Sequence, residues 1–377
     1  MSHGLTSGDV SAENHLTDQN LVRSAYRLTA DLAHPNAAIY WIDLLASALA
    51  GYGAFYYAFL SGVTWTGAAA AIVALLSLYR SISFMHELVH LRRNSPPLLW
   101  TAWHALVGVP MLVPLFLYDG VHNLHHSKMH FGTAGDPEYL PLASSGPRSI
   151  ALMLPFAAVR PLLLVPRFLL ITPLAALIPP LRPYLVERMS AIMINPAFRR
   201  RDPPQDRQAW LAVEALCAVY AWCMVALIAT EIVPVAAAAL ALAVYSGIGV
   251  LNMLRTLVAH HYESDGLPVD IAGQLLDSVN VPPPALLPTL WAPVGLRYHA
   301  LHHLLPNLPY HNLGVAHRRL VANLPANSGY NGTNNTRASR VMRRLIRTAA
   351  QARNVRPPAK PADEPLAEIN AGRAAAN

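Results

Sequence analysis

LLASALAGYGAFYYAFLSGVTWTGAAAAIVALLSLY, residues 44–79, runs for 36 residues without a charged side chain, between Asp43 and Arg80. As one helix it would be about 54 Å long, against a bilayer hydrocarbon core of about 30 Å. It is therefore read as two membrane spans folded into a hairpin. Gly62 and Gly67 bracket the small polar stretch 61–66, which suits a tight turn between helices near 40–60 and 65–84. Working outward, a second hairpin fits residues 209–230 and 233–255, interrupted by Thr230, Glu231 and Pro234. The chain of 377 residues is 54% hydrophobic and 13% charged, and its mean hydropathy is +0.30. A soluble domain carries about 25% charged residues, so an all-α polytopic membrane protein with about four spans is expected. A collagenous, disordered or nucleic-acid-binding reading of the whole chain is excluded.

The net charge is +7, and its placement is more informative than its size. None of the 28 Lys and Arg residues falls in either turn, whereas Arg80, Arg92, Arg93, Arg199, Arg200, Arg201, Arg207 and Arg255 cluster at the other ends. By the positive-inside rule both turns face outward and both termini are cytoplasmic, in a cell (inner) membrane. Two further apolar stretches, 94–118 and 149–181, are rich in proline. They are expected to dip into or lie along the cytoplasmic leaflet, because single spans would set the histidine groups described next on opposite sides. The expected organisation is a cytoplasmic segment 1–37, a membrane-embedded catalytic unit 38–324, and a cytoplasmic tail 325–377 holding a basic interfacial helix, 337–347, followed by disorder. Cys217 and Cys223 lie in one apolar segment as small hydrophobes. They exclude a disulfide framework or a four-cysteine cluster.

Of 17 histidines, 14 lie between His86 and His317. His86-Glu-Leu-Val-His90 follows the second span; His122-Asn-Leu-His125-His126 and His299-Ala-Leu-His302-His303 come later, and His260 and His261 end the last span. Positions i, i+3 and i+4 share a helix face, so each group presents two or three imidazoles in one direction, as metal binding requires. At this chain's histidine frequency HxxHH should arise by chance on the order of 0.03 times, yet it occurs twice beside HExxH. The bland reading of one such group is a polar interfacial patch; three together are read as functional, since ionisable residues facing a membrane are seldom idle. Eight histidines exceed the capacity of one ion, so at least two metals are implied. HExxH alone would suggest a zinc protease with Glu87 as general base, but that leaves both HxxHH groups without a task. A carboxylate di-iron bundle needs a second Glu-x-x-His pair, and a metal transporter would hold its histidines at mid-membrane.

The three groups resemble the histidine boxes of the membrane-bound fatty acid desaturase superfamily, which includes hydroxylases, ketolases and decarboxylases. Similar flanking text includes the run from Gly132 to Tyr139, Leu254-Arg-Thr-Leu-Val-Ala-His260, and Arg297-Tyr298 leading into the third box. The resemblance covers roughly residues 38–320. It implies two non-haem iron ions on the cytoplasmic side, O2 as co-substrate and oxidation of a lipid acyl chain, with desaturation the leading reading. Hydroxylation, ketolation and alkene-forming decarboxylation are the alternatives. By position it makes His86, His90, His122, His125, His126, His299, His302 and His303 metal ligands, with His260 the ninth and His261 its alternative. Glu87 and Asp136 are assigned as carboxylates that orient ligand histidines, with Glu138 and Glu263 beside them. His104, His130 and His311 repeat no ligand spacing. Arg255 would meet one of these carboxylates or a substrate head group. Candidate tunnel-wall residues are Trp41, Tyr52, Tyr56, Trp100 and Trp103. No haem, flavin or nicotinamide motif is found in the chain, so electrons are expected from a separate ferredoxin or similar carrier and its reductase. Such an acidic partner would dock at Arg199–Arg201 or at Arg318 and Arg319.

Overall fold

The computed structural model describes residues 20–91, 94–201 and 206–352. Arg92 and Arg93, residues 1–19 of the N-terminal segment and the tail beyond 352 lie outside the described residues. The described chain is helical, and its β-pairing is confined to three isolated bridges.

Helix α1 (Ala37–Ser61) starts on Asn36, whose side chain accepts from the N–H groups of Ala38 and Ile39 at 3.0 and 3.4 Å. Helix α2 (Trp65–Leu91) returns beside it, so residues 44–79 do form a hairpin. The two charges that bound the uncharged stretch meet: Arg80 Nε donates to Asp43 Oδ1 at 2.6 Å, and Tyr310 from the third histidine region donates to Asp43 Oδ2 at 2.6 Å. Asp43 sits 18 residues before Ser61, about 27 Å along the helix, so the pair lies one membrane thickness from the turn. The second hairpin is α5 (Arg207–Ala229) and α6 (Val235–Ala259), reached after the shorter α3 (Leu99–Trp103) and α4 (Pro147–Val159). Asp206 caps α5 by accepting from Ala209 N–H at 2.9 Å.

Among the described residues five helical stretches are long and apolar enough to cross a membrane, Pro147–Leu177 being the one outside the two hairpins. That stretch is interrupted by a 3-10 segment at Arg160–Leu163 and a π segment at Arg167–Ile171. Proline removes a backbone donor and crowds the preceding turn, and Pro155, Pro161 and Pro166 recur through it. It packs tightly on α6: a Cβ on Gly249 would lie 2.2 Å from the Ala157 carbonyl oxygen. Both of its flanks return to one layer. Ala143 N–H bonds the Tyr262 carbonyl at 3.3 Å, and Ile194 N–H bonds the Pro137 carbonyl at 2.8 Å. Residues 94–118 form no long helix, but α3, a π turn at His104–Gly108 and a short 3-10 turn.

Within the apolar layer Glu214 of α5 accepts from Arg167 Nη2 at 2.6 Å and from Arg182 Nη1 at 2.5 Å, and Glu214 and Arg167 are each 2% exposed. The guanidinium of Arg167 also lies 4.1 Å over the Phe168 ring. The C-terminal helix α7 (Ala338–Ala352) buries Val341, Leu345 and Ala349 and turns its arginines outward; Leu345 and Ala349 pack with Phe131, Tyr139 and Tyr262. The basic helix expected at 337–347 is thus seated on the body.

Removing one member of a buried ion pair strands the other. Glu214→Ala should therefore cost about 3–5 kcal/mol, read as a lower midpoint of thermal unfolding in detergent. A reporter inserted after Ser61 or after Thr230 should be scored on one side of the membrane, and one placed after Ala352 on the other. The same score for all three would overturn the hairpin topology.

Candidate metal centre

The site is assembled where the helices end on the side away from the two turns. The last turns of α2 carry His86 and His90; the helical turn His122–His125 and the six-residue helix His299–Leu304 carry the two HxxHH groups; His260 follows the last residue of α6. The nine histidines assigned from sequence come together in two groups. One holds His86, His90, His122, His126 and His302, the other His125, His260, His299 and His303, with one ring nitrogen of every member within 4.8 Å of the others in its group. His261 belongs to neither. Each HxxHH element divides its residues between the groups, so consecutive histidines face different centres.

The nitrogens confront one another. His126 Nε2 is 3.0 Å from His122 Nε2 and 3.1 Å from His302 Nε2; in the second group His260 Nε2 is 2.9 Å from His299 Nε2 and 3.3 Å from His125 Nε2. Ligands held at about 2.1 Å from one ion would be about 3.0 Å apart in octahedral and about 3.4 Å apart in tetrahedral geometry. A neutral imidazole has only one N–H, so convergent nitrogens cannot all satisfy one another. His86 Nε2 is buried without a hydrogen-bond partner. These residues therefore fit a pair of metal ions. Burial, reinforced by neighbouring imidazoles, holds His122, His126, His260, His299, His302 and His303 well below the ordinary imidazole range, the neutral form a metal needs. His125 differs: burial pulls it down, but Asp136, Glu138 and Asp277 outweigh that and leave it raised.

Carboxylates grip the outer nitrogens. Asp136, fully buried, accepts from His125 Nδ1 at 2.9 and 3.0 Å and from the N–H groups of Gly132 and Glu138 at 2.9 and 2.8 Å. Glu138 lies 2.7 Å from His122 Nδ1 and accepts from Tyr118 at 3.1 Å; burial pushes its carboxyl up to about 7. Two partners had no sequence signal, because they lie outside the boxes. Asp277 approaches His260 Nδ1 at 3.4 Å, and Gln274 Oε1 lies 3.4 Å from His303 Nδ1. Both sit on the short helix Ile271–Asp277, and only the Asp270 cap ahead of it is legible locally.

Glu87 differs from the expectation. It accepts from the hydroxyl of Tyr40 and from Tyr310 N–H at 3.0 Å, so it clamps α1, α2 and the third-box loop together instead of holding a ring nitrogen. The helix forces this, since the residue next to His86 points about 100° away from it. Of the expected docking arginines, Arg200 is buried and donates to the carbonyls of Phe116, Ser190 and Asp119, whereas Arg199 is half-buried and Arg201 exposed. Arg319 is bound to Asp31 and to the Leu28 carbonyl. His104 closes the π turn between Trp100 O and Leu115 N–H, and His311 accepts from Asn36 N–H. Glu263 is paired with Arg344.

A cavity of about 210 Å³ reaches His86 and Glu138, its other walls including Ile82, Met85, Ile248 and Met253. Tyr245 is shared with a second cavity of about 410 Å³, lined by apolar residues such as Leu78, Met224 and Leu242. Of the aromatics predicted as tunnel wall, Tyr52 lines this second cavity, Trp103 is packed in the core with its Nε1 on Ser81 O, and Tyr56 faces outward.

The all-helical fold, its long apolar hairpins and the histidine groups at their ends define a class of membrane oxidoreductase. The chain belongs to the fatty acid desaturase family, which it matches over residues 63–333. It is 46% identical over 342 residues to a ceramide hydroxylase of Caulobacter vibrioides, covering 90% of this chain and 97% of that one. No solved structure matches it.

Substitution separates the two carboxylates. Asp136→Asn should weaken metal retention about 10–100-fold, measured as metal content after dialysis against graded chelator. Glu87→Gln should keep its metal and lower thermal stability. Equal metal loss in both would overturn the distinction.

Proposed function

We propose that the protein is an O2-dependent hydroxylase of a hydrocarbon chain in a ceramide-class lipid, using two iron ions held by the nine histidines. The observation that carries this reading is the 46% identity to a ceramide hydroxylase, and a cavity that reaches His86 is in keeping with it. When bound, the metal pair would supply the redox chemistry that lets dioxygen attack an unactivated C–H bond. In the overall change one oxygen atom enters the C–H bond and the other leaves as water, with two electrons and two protons consumed.

The protein's own residues do the positioning. Ile82, Met85 and Met253 line the apolar wall beside His86 that would hold the chain, and Tyr245 borders both this cavity and the larger apolar one. Asp136, Glu138, Gln274 and Ser278, with Asp277 close by, engage the outer Nδ1 atoms and fix the imidazoles in orientation with their Nε2 atoms inward. The electrons would come from a separate ferredoxin or similar carrier and its reductase. The two hairpins cross a bacterial inner membrane, while Pro147–Leu177 enters from the histidine side and returns to it, leaving the site cytoplasmic. The shared attachment of its two flanks to the histidine layer supports this arrangement.

The family match favours a second reading, desaturation, and one experiment separates the two. Ceramides and total fatty acids of a ceramide-producing host expressing the wild type or His302→Ala are compared by mass spectrometry. Hydroxylation predicts ceramides with one extra oxygen atom in the wild type alone. A species lacking two hydrogens would establish desaturation, and identical lipids with a reductase system supplied would remove lipid oxidation altogether.

A further inference from the structure

Among the described residues Arg255 has no carboxylate in direct contact, although Glu138 lies within electrostatic range. It lies in the last turns of α6, on the wall of the cavity that reaches His86. Its Nη2 donates to Asn252 Oδ1 at 3.2 Å, while Nε is buried with no hydrogen-bond partner. Among the described residues no ion pair engages it: Glu138, in the same wall, is taken up by His122 and Tyr118. Tyr79 also turns its hydroxyl to Asn252 Oδ1, at 3.4 Å, which occupies the oxygen of Asn252 and leaves its amide N–H groups. The polar end of the cavity is thus rich in donors, while the channel beyond Tyr245 is apolar.

A buried donor costs free energy until it finds an acceptor, and a guanidinium N–H can donate but not accept. Resting on the reading of the chain as a ceramide-class hydroxylase, we infer that Arg255 is a positioning residue. Its Nε–H and the amide of Asn252 receive the amide carbonyl oxygen of the lipid. Holding that oxygen at one end and the tail in the channel fixes which methylene lies beside His86. The reaction's regiochemistry then depends on a residue that touches neither metal group.

The test replaces the acceptor as well as the donor. Binding of a radiolabelled ceramide and of its thioamide analogue, whose sulfur is a poor acceptor, is measured on the full-length protein in nanodiscs without reductant. The wild type should bind the amide at least about tenfold more tightly, the scale of a hydrogen bond from a charged donor. Arg255→Met, which keeps the length of the stem, should lose most of that preference and retain only the smaller part that Asn252 supplies. In turnover it should raise KM more than it lowers kcat and scatter the position of the product hydroxyl. Metal content equal to wild type would establish that the variant is folded. An amide preference of the same size in both proteins would overturn the assignment. Amide preference in a wild type that produces no hydroxylated lipid would instead overturn the hydroxylase reading and leave the recognition in place.

Discussion

Nine imidazoles are withdrawn from water and aimed at one another, and this convergence constrains the rest of the molecule. Neutral rings with nitrogens about 3 Å apart repel or leave lone pairs unmet unless each outer nitrogen is fixed and each inner one has a common acceptor. The helices supply the first condition. α2 presents two rings from successive turns, the two HxxHH turns split theirs between both groups, and His260 is delivered by the end of α6. Asp136, Glu138, Asp277 and Gln274 then form an outer layer that decides which nitrogen points inward.

The membrane hairpins hold this layer in place. The Asp43–Arg80 pair joins α1 to α2 one membrane thickness from the turn, and Tyr310 ties the same carboxylate to the third-box region. Glu87 repeats the device one level nearer the site, bonding Tyr40 and the backbone of Tyr310. On the other flank Glu214 gathers Arg167 and Arg182 in surroundings where unpaired charges would be intolerable. Such pairs add little net stability relative to an apolar substitute, but they specify register strongly, because any slip strands a charge.

What could be read from the sequence follows from locality. The hairpin over 44–79 was legible because an uncharged length is a local property set against a fixed bilayer thickness. The clustering of the eight box histidines was legible because helical spacing is local and the boxes repeat it, whereas His260 was assigned from the resemblance alone. His260 was separable from His261 only by the turn that ends α6. The role of Glu87 was not legible: its position in HExxH suggests a site carboxylate, yet its partners come from residues 40 and 310. Asp277 and Gln274 were missed for the same reason, as were the inward turn of Arg200 and the break-up of residues 94–118 into short turns. Tertiary partners, not propensity, decide such cases.

The choice between a new double bond and a hydroxyl lies one step further from the sequence. Both outcomes begin with loss of hydrogen from a methylene, and they diverge according to whether a second hydrogen or an oxygen atom lies in reach. That is a difference of a fraction of an ångström in where the chain rests. The histidines cannot set it, since a metal pair serves either reaction. On the proposed reading, the walls that would set it are those lining the cavity beside His86, among them Ile82, Met85, Ile248 and Met253. Those residues carry no motif, and their effect emerges only when α2, α6 and the segment near residue 193 are brought face to face.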